Sequence, residues 1–109
     1  MKLYIAGPMT GLPEFNYPAF ERARTDLEAA GFDVLCPTDI GADAEPGSRP
    51  WTWYMRAALR QVLDADALAV LPGAACSRGA LLEITVARAL GMEVRPVEAW
   101  MIERAAVPA

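Results

Sequence analysis

The stretch Ala67-Leu68-Ala69-Val70-Leu71, then Pro72-Gly73, then Ser77-Arg78-Gly79-Ala80-Leu81-Leu82-Glu83, limits the architecture more than any other. A short apolar run, a small-residue turn and a helical pattern ending near Gly91 read as strand, turn and helix. In α/β proteins such a junction leaves backbone N–H groups free at the helix start, where an anionic group can bind. Glu83 lies one turn further on.

The unit repeats along the chain. Leu3–Ala6 reads as a first strand, and Gly7-Pro8-Met9-Thr10-Gly11-Leu12-Pro13 as a shaped loop at its end. Asn16 is expected to cap a helix with Pro18 in its first turn, Phe20, Ala23, Leu27 and Ala30 on its inner stripe, and Gly31 as its stop. Phe32–Leu35 reads as a second strand. The segment from Thr38 to Pro50 has no periodicity and is expected to be a mobile flap. A second helix from Thr52 to Leu63 would bury Met55, Leu59, Val62 and Leu63, with Tyr54, Ala58 and Gln61 on the adjoining face. Ala67–Leu71, a helix from Arg78 to Leu90, a strand from Met92 to Val97 and a terminal helix from Glu98 to Arg104 complete the pattern. Alternation of this kind implies an α/β fold. The expectation is a flavodoxin-like, Rossmann-like three-layer sandwich on a four- or five-stranded parallel sheet, with residues 1–109 as one domain. Ligands of such sheets bind beyond the carboxyl ends of the strands, where the loop from Gly7, the flap and the turn before Glu83 converge.

Composition removes several chemistries. The chain of 109 residues contains no histidine, which excludes Ser–His and Cys–His nucleophile pairs and nearly all zinc sites. No metal and no cofactor are expected. Cys36 and Cys76 form neither a CxxC pair nor a disulfide framework and read as reduced thiols. A net charge of −4 without a basic run argues against nucleic-acid polymers and anionic membranes, but not against a small phosphorylated ligand. No apolar run approaches the ~18 residues of a membrane span, and Met1–Ala6 is too short for a signal segment. The expectation is a cytoplasmic protein.

Several side chains are candidates for chemistry. Glu83 has Gly79, Ala80, Val86 and Ala87 as helical neighbours, so no ion pair along the helix accounts for it. Either it is a solvated surface glutamate or it acts at a site edge as nucleophile or sugar ligand. Ser77 reads as an N-cap or, with Arg78 and Gly79, as part of a phosphate cradle. Tyr4 is a core tyrosine or orients a carboxylate. Asp66 is a cap at the strand entry or a second carboxylate, and Trp51 and Trp53 either anchor the flap or stack on a base.

Tyr4-Ile5-Ala6-Gly7-Pro8-Met9-Thr10-Gly11 resembles the opening of the nucleoside 2-deoxyribosyltransferase-like superfamily. Ser77-x-Gly79-x-x-x-Glu83 with Ala87 and Gly91 resembles its signature helix start. Asn16-Tyr17-Pro18-Ala19-Phe20, Asp64-Ala65-Asp66-Ala67 and Leu71-Pro72-Gly73 extend the likeness to a small bacterial and phage branch. The resemblance implies cleavage or transfer at the N-glycosidic bond of a nucleoside or nucleotide. Glu83 would attack the anomeric carbon, Tyr4 would position it, and Ser77 would hold a 5′-phosphate. Gly7, Pro8, Met9, Thr10 and Gly11, with Asn16, Arg78 and Gly79, would line the substrate, and the protein would be a homodimer. Relatives carry an aspartate where this chain has Ala58, and a tryptophan where it has Ala74. Either Asp66, Asp64 or a flap acid (Asp39, Asp43 or Glu45) replaces the aspartate, or the base takes its proton from water, or activity is lost. A catalytically silent nucleotide-binding or sensing module is therefore the alternative. A third reading is an interaction protein using an apolar tail around Trp100, Met101 and Ile102.

Overall fold

The computed structural model describes residues 1–45 and 48–106. Four strands form one parallel sheet: β1 (Lys2–Ala6), β2 (Asp33–Leu35), β3 (Ala67–Val70) and β4 (Glu93–Pro96). Their spatial order is β2-β1-β3-β4. β1 is central, pairing Tyr4 with Leu35 on one side and with Leu68 on the other. The helices are α1 (Tyr17–Ala29), α2 (Trp51–Asp64), α3 (Arg78–Ala89) and α4 (Val97–Ala106). This is the expected α/β sandwich, with the strand order of flavodoxin-like sheets; its switch point lies between β1 and β3.

Strand alternation sorts the core into two layers. Leu3, Ile5, Ala67 and Ala69 face α1 and α4, packing with Phe20, Leu27 and Trp100. Tyr4, Ala6 and Leu68 face α2 and α3, packing with Ala58, Val62, Ile84 and Ala87. Small residues dominate this second layer, so α2 and α3 can come close to the sheet. Its one long polar side chain from a strand, Tyr4, is fully buried.

Four expectations need correction. In α2 the inward stripe is Met55, Ala58 and Val62, whereas Leu63 is exposed. The helix is rotated so that a small residue meets the sheet and a large one meets water. Asn16 does not cap α1 with its side chain. It adopts a left-handed conformation (φ 61°), and its Nδ2 donates to the Pro8 carbonyl at 2.9 Å. The start of the presumed flap is anchored: Pro37–Asp39 form a 3₁₀ turn, and buried Thr38 donates its hydroxyl to Glu21 at 2.8 Å. Pro46 and Gly47 of that segment lie outside the described residues. Trp100 is not left for a partner. Its indole N–H donates to the Leu68 carbonyl at 2.9 Å, and its ring packs edge-on against Phe32.

Candidate active site

The loop after β1 and the turn after β3 leave the sheet side by side, at the switch point. Their closeness depends on Gly7: a Cβ there would lie 2.8 Å from Leu71 Cδ1 and 2.9 Å from Leu71 Cβ. Asn16 fastens the first loop through Pro8. The second turn ends at Ser77, whose Oγ accepts from the Ala80 N–H at 3.2 Å and caps α3 as its sequence implies.

A cavity of about 280 Å³ opens between these segments and α2. Gly7, Met9 and Thr10 line one wall, Ser77, Gly79 and Glu83 another. The face of α2 presenting Trp51, Tyr54, Met55 and Ala58 closes the third. Gly79 keeps this passage open, since a Cβ there would meet Met55 Sδ at 3.1 Å. Phe15 and Tyr17 stand at the cavity with Ile40 and Arg49.

Glu83 is 5% exposed. Its Oε2 accepts a 2.5 Å hydrogen bond from the Tyr4 hydroxyl. Burial raises its pKa from an ordinary 4.5 to about 7, and the Tyr4 hydrogen bond opposes that rise. Burial and the neighbouring Glu83 charge push the Tyr4 phenol well above its usual range, so Tyr4 stays a donor. Among the described residues Glu83 is the sole carboxylate lining the cavity and Arg49 the sole cation. Arg49 stacks over Trp53 at 4.2 Å, and Arg78 over Trp51 at 4.0 Å.

Of the residues singled out from sequence, Gly7, Met9, Thr10, Ser77, Gly79 and Glu83 meet around one cavity, and Tyr4 reaches it through Glu83. Pro8 and Asn16 act behind the wall, Gly11 lies outside it, and Arg78 covers the outside of Trp51. For Asp66 the catalytic reading is corrected and the strand-entry reading holds. The residue precedes β3, so it sits at the opposite end of the sheet, and its carboxylate accepts from the Lys2 backbone N–H at 2.7 Å. A strand-entry residue of a parallel sheet cannot reach chemistry at the carboxyl ends. Asp64, at the end of α2, sits at that same edge, 3.9 Å from Lys2 Nζ. Asp39 is held by Arg24 at 2.7 Å.

Sequence reasoning missed Arg49, Phe15, Tyr17 and Ile40 as lining residues. The spacing of Trp51, Tyr54/Met55 and Ala58 along one helix face was a usable signal for the α2 wall. Phe15 gave none: it follows from three successive left-handed residues, Glu14, Phe15 and Asn16.

The chain has the nucleoside 2-deoxyribosyltransferase-like fold. A 2-deoxyribosyltransferase from Bacillus psychrosaccharolyticus superposes with a TM-score of 0.68 at 20% identity, over 86% of this chain and 69% of that one. A 2-deoxyribosyltransferase from Leishmania mexicana gives 0.64 at 20% identity, over 85% and 61%. A conserved protein from Enterococcus faecalis V583 gives 0.61 at 28% identity, over 86% and 60%. The chain thus spans about three-fifths of the last two. The chain belongs to the family described as Domain of unknown function (DUF4406), whose family model matches residues 1–95. No curated protein matches it.

Proposed function

We propose that the protein cleaves or transfers the N-glycosidic bond of a nucleoside or nucleotide, with Glu83 as nucleophile. One observation carries this reading: a lone buried carboxylate, gripped by a tyrosine, at the wall of an aromatic-lined cavity at the sheet's switch point. Tyr4 engages Oε2, while Oε1 has no hydrogen-bond partner among the described residues and is available to attack the anomeric carbon. With a pKa of about 7 the carboxylate is partly ionised near neutrality. In this reading Ser77, at the start of α3, and Arg49, which both line the cavity, hold a 5′-phosphate. The solved 2-deoxyribosyltransferases of the same fold point to the same bond.

Incubation with nucleosides and their 5′-monophosphates, with and without an acceptor base, tests the reading through free base and exchanged nucleoside separated by chromatography. Release by the native protein and none by Glu83→Gln is expected. No release from any compound, with both proteins alike, sinks it and leaves a silent binding module. A homodimer in the cytoplasm belongs to the same proposal; exposed Leu81 and Leu82 on α3 offer it an apolar surface. A monomeric mass by light scattering counts against the dimer.

A further inference from the structure

Glycosidic cleavage ordinarily uses two carboxyl groups, one to attack or activate water and one to protonate the leaving group. One carboxylate cannot do both at once, because attack needs it ionised and acid catalysis needs it protonated. Among the described residues, this cavity is lined by Glu83 alone of the carboxyl groups. Asp66 and Asp64 lie at the far edge of the sheet, and Asp39 is paired with Arg24. Glu14, Glu21 and Glu45 line a separate surface groove beyond Phe15 and Tyr17. The other polar side chains lining the cavity carry hydroxyls, phenols, the Trp51 indole N–H and the Arg49 guanidinium, none an acid of carboxylic strength.

Resting on the Glu83 reading above, we infer that the site takes N-glycosides whose base already carries a positive charge, an N-alkylated purine or a pyridinium ring. Such a base departs without being protonated, so the missing acid costs nothing. Glu83 forms an Oε–C1′ bond as the C1′–N bond breaks. The bonding pair passes to the ring nitrogen, cancels its charge, and the base leaves neutral. Water then attacks C1′, the carboxylate leaves, and one proton per turnover goes to solvent.

Two further observations agree. Glu83 is buried with no cation paired to it among the described residues, and a cationic ring beside it favours the ionised, attacking form. The substrate's charge thus helps to generate its nucleophile. The lining suits such a ring: Trp51, Tyr54, Phe15 and Tyr17 make it aromatic, and aromatic rings attract a cation.

The test compares guanosine with N7-methylguanosine, as ribosides and 2-deoxyribosides, each with and without a 5′-phosphate, at pH 6.5. Initial rates are read by chromatography after subtracting spontaneous release. The methylated compounds are expected to react about 100-fold faster or more, since a general acid is worth ~10²–10⁴-fold to the neutral ones. A ratio below tenfold overturns the inference but leaves the glycosidase reading standing. No Glu83-dependent release from any compound overturns both. In Ala58→Asp, which returns an acid to the cavity, the ratio is expected to fall at least tenfold. An unchanged ratio in a folded variant overturns the inference.

Discussion

The Tyr4 hydroxyl and Glu83 Oε2 meet at 2.5 Å across 79 residues of sequence, joining the central strand to the third helix. The contact is buried on both sides, so it sets both the position and the charge of the carboxylate. It also gives the proposed chemistry a measurable signature, because removing the hydroxyl alone changes the acid's ionisation without emptying the core.

Tyr4→Phe keeps the ring and deletes that hydrogen bond. The bond lowers the Glu83 pKa, so its loss moves the pKa upward from about 7. A hydrogen bond to a charged group is worth roughly 1.5–3 kcal/mol, which corresponds to about one to two pH units. A pH profile of base release is expected to shift its ascending limb alkaline by that amount, with a drop of about 5- to 50-fold at pH 7. A profile that falls in height without shifting assigns Tyr4 to packing alone.

Glu83→Gln separates stability from activity. The unfolded chain gives up this proton near 4.5 and the folded chain near 7. The folded state therefore holds more protons between those values, and stability falls as pH rises through that window and levels off above it. Glutamine carries no such penalty. The variant is expected to gain on the native protein between pH 5 and pH 8, by about 2–3 kcal/mol at the upper end. Urea unfolding at both pH values checks this, with abolished turnover as the companion result.

Two glycines at the site are expected to behave differently. Gly7→Ala drives a Cβ against Leu71, including its Cβ, where the side chain cannot swing away. The β1 loop and the β3 turn must part, at a cost of about 1–3 kcal/mol in thermal or urea unfolding. At Gly79 the close atom is Met55 Sδ, on a flexible side chain. Gly79→Ala is expected to fold within about 1 kcal/mol of the native protein, while the Michaelis constant rises because the displaced thioether enters the cavity.

How far the sequence reached depended on whether local pattern or tertiary contact decided a residue's place. Leu3 and Ile5 against Tyr4 and Ala6 follow from period-two alternation, and Ser77 from capping chemistry, so the strand–turn–helix frame was legible. Glu83 was marked by its lack of helical partners, yet its burial depends on Tyr4 from a distant strand. Of the two readings of Asp66 the strand-entry one holds, and strand direction alone rules out the catalytic one. The α2 stripe was misjudged because Ala58, not Leu63, fits the narrow gap to the sheet. Phe15 reaches the cavity through a left-handed turn of non-glycine residues, which no propensity anticipates.

Arg49 supplies the last prediction. It is the one cation lining the cavity among the described residues, in a chain of net charge −4, and it has no carboxylate partner there. Stacking over Trp53 fixes its plane at little entropic cost and leaves its N–H edges for a ligand. If that ligand is a 5′-phosphate, Arg49→Gln removes a charge-assisted contact worth about 1.5–3 kcal/mol, or roughly 10- to 100-fold in the Michaelis constant. Nucleosides lacking the phosphate lose almost nothing. Added salt is expected to weaken binding of the monophosphates to the native protein and to have little effect on the variant. Equal losses for nucleosides and monophosphates would assign Arg49 to holding Trp53 and the α2 entrance instead.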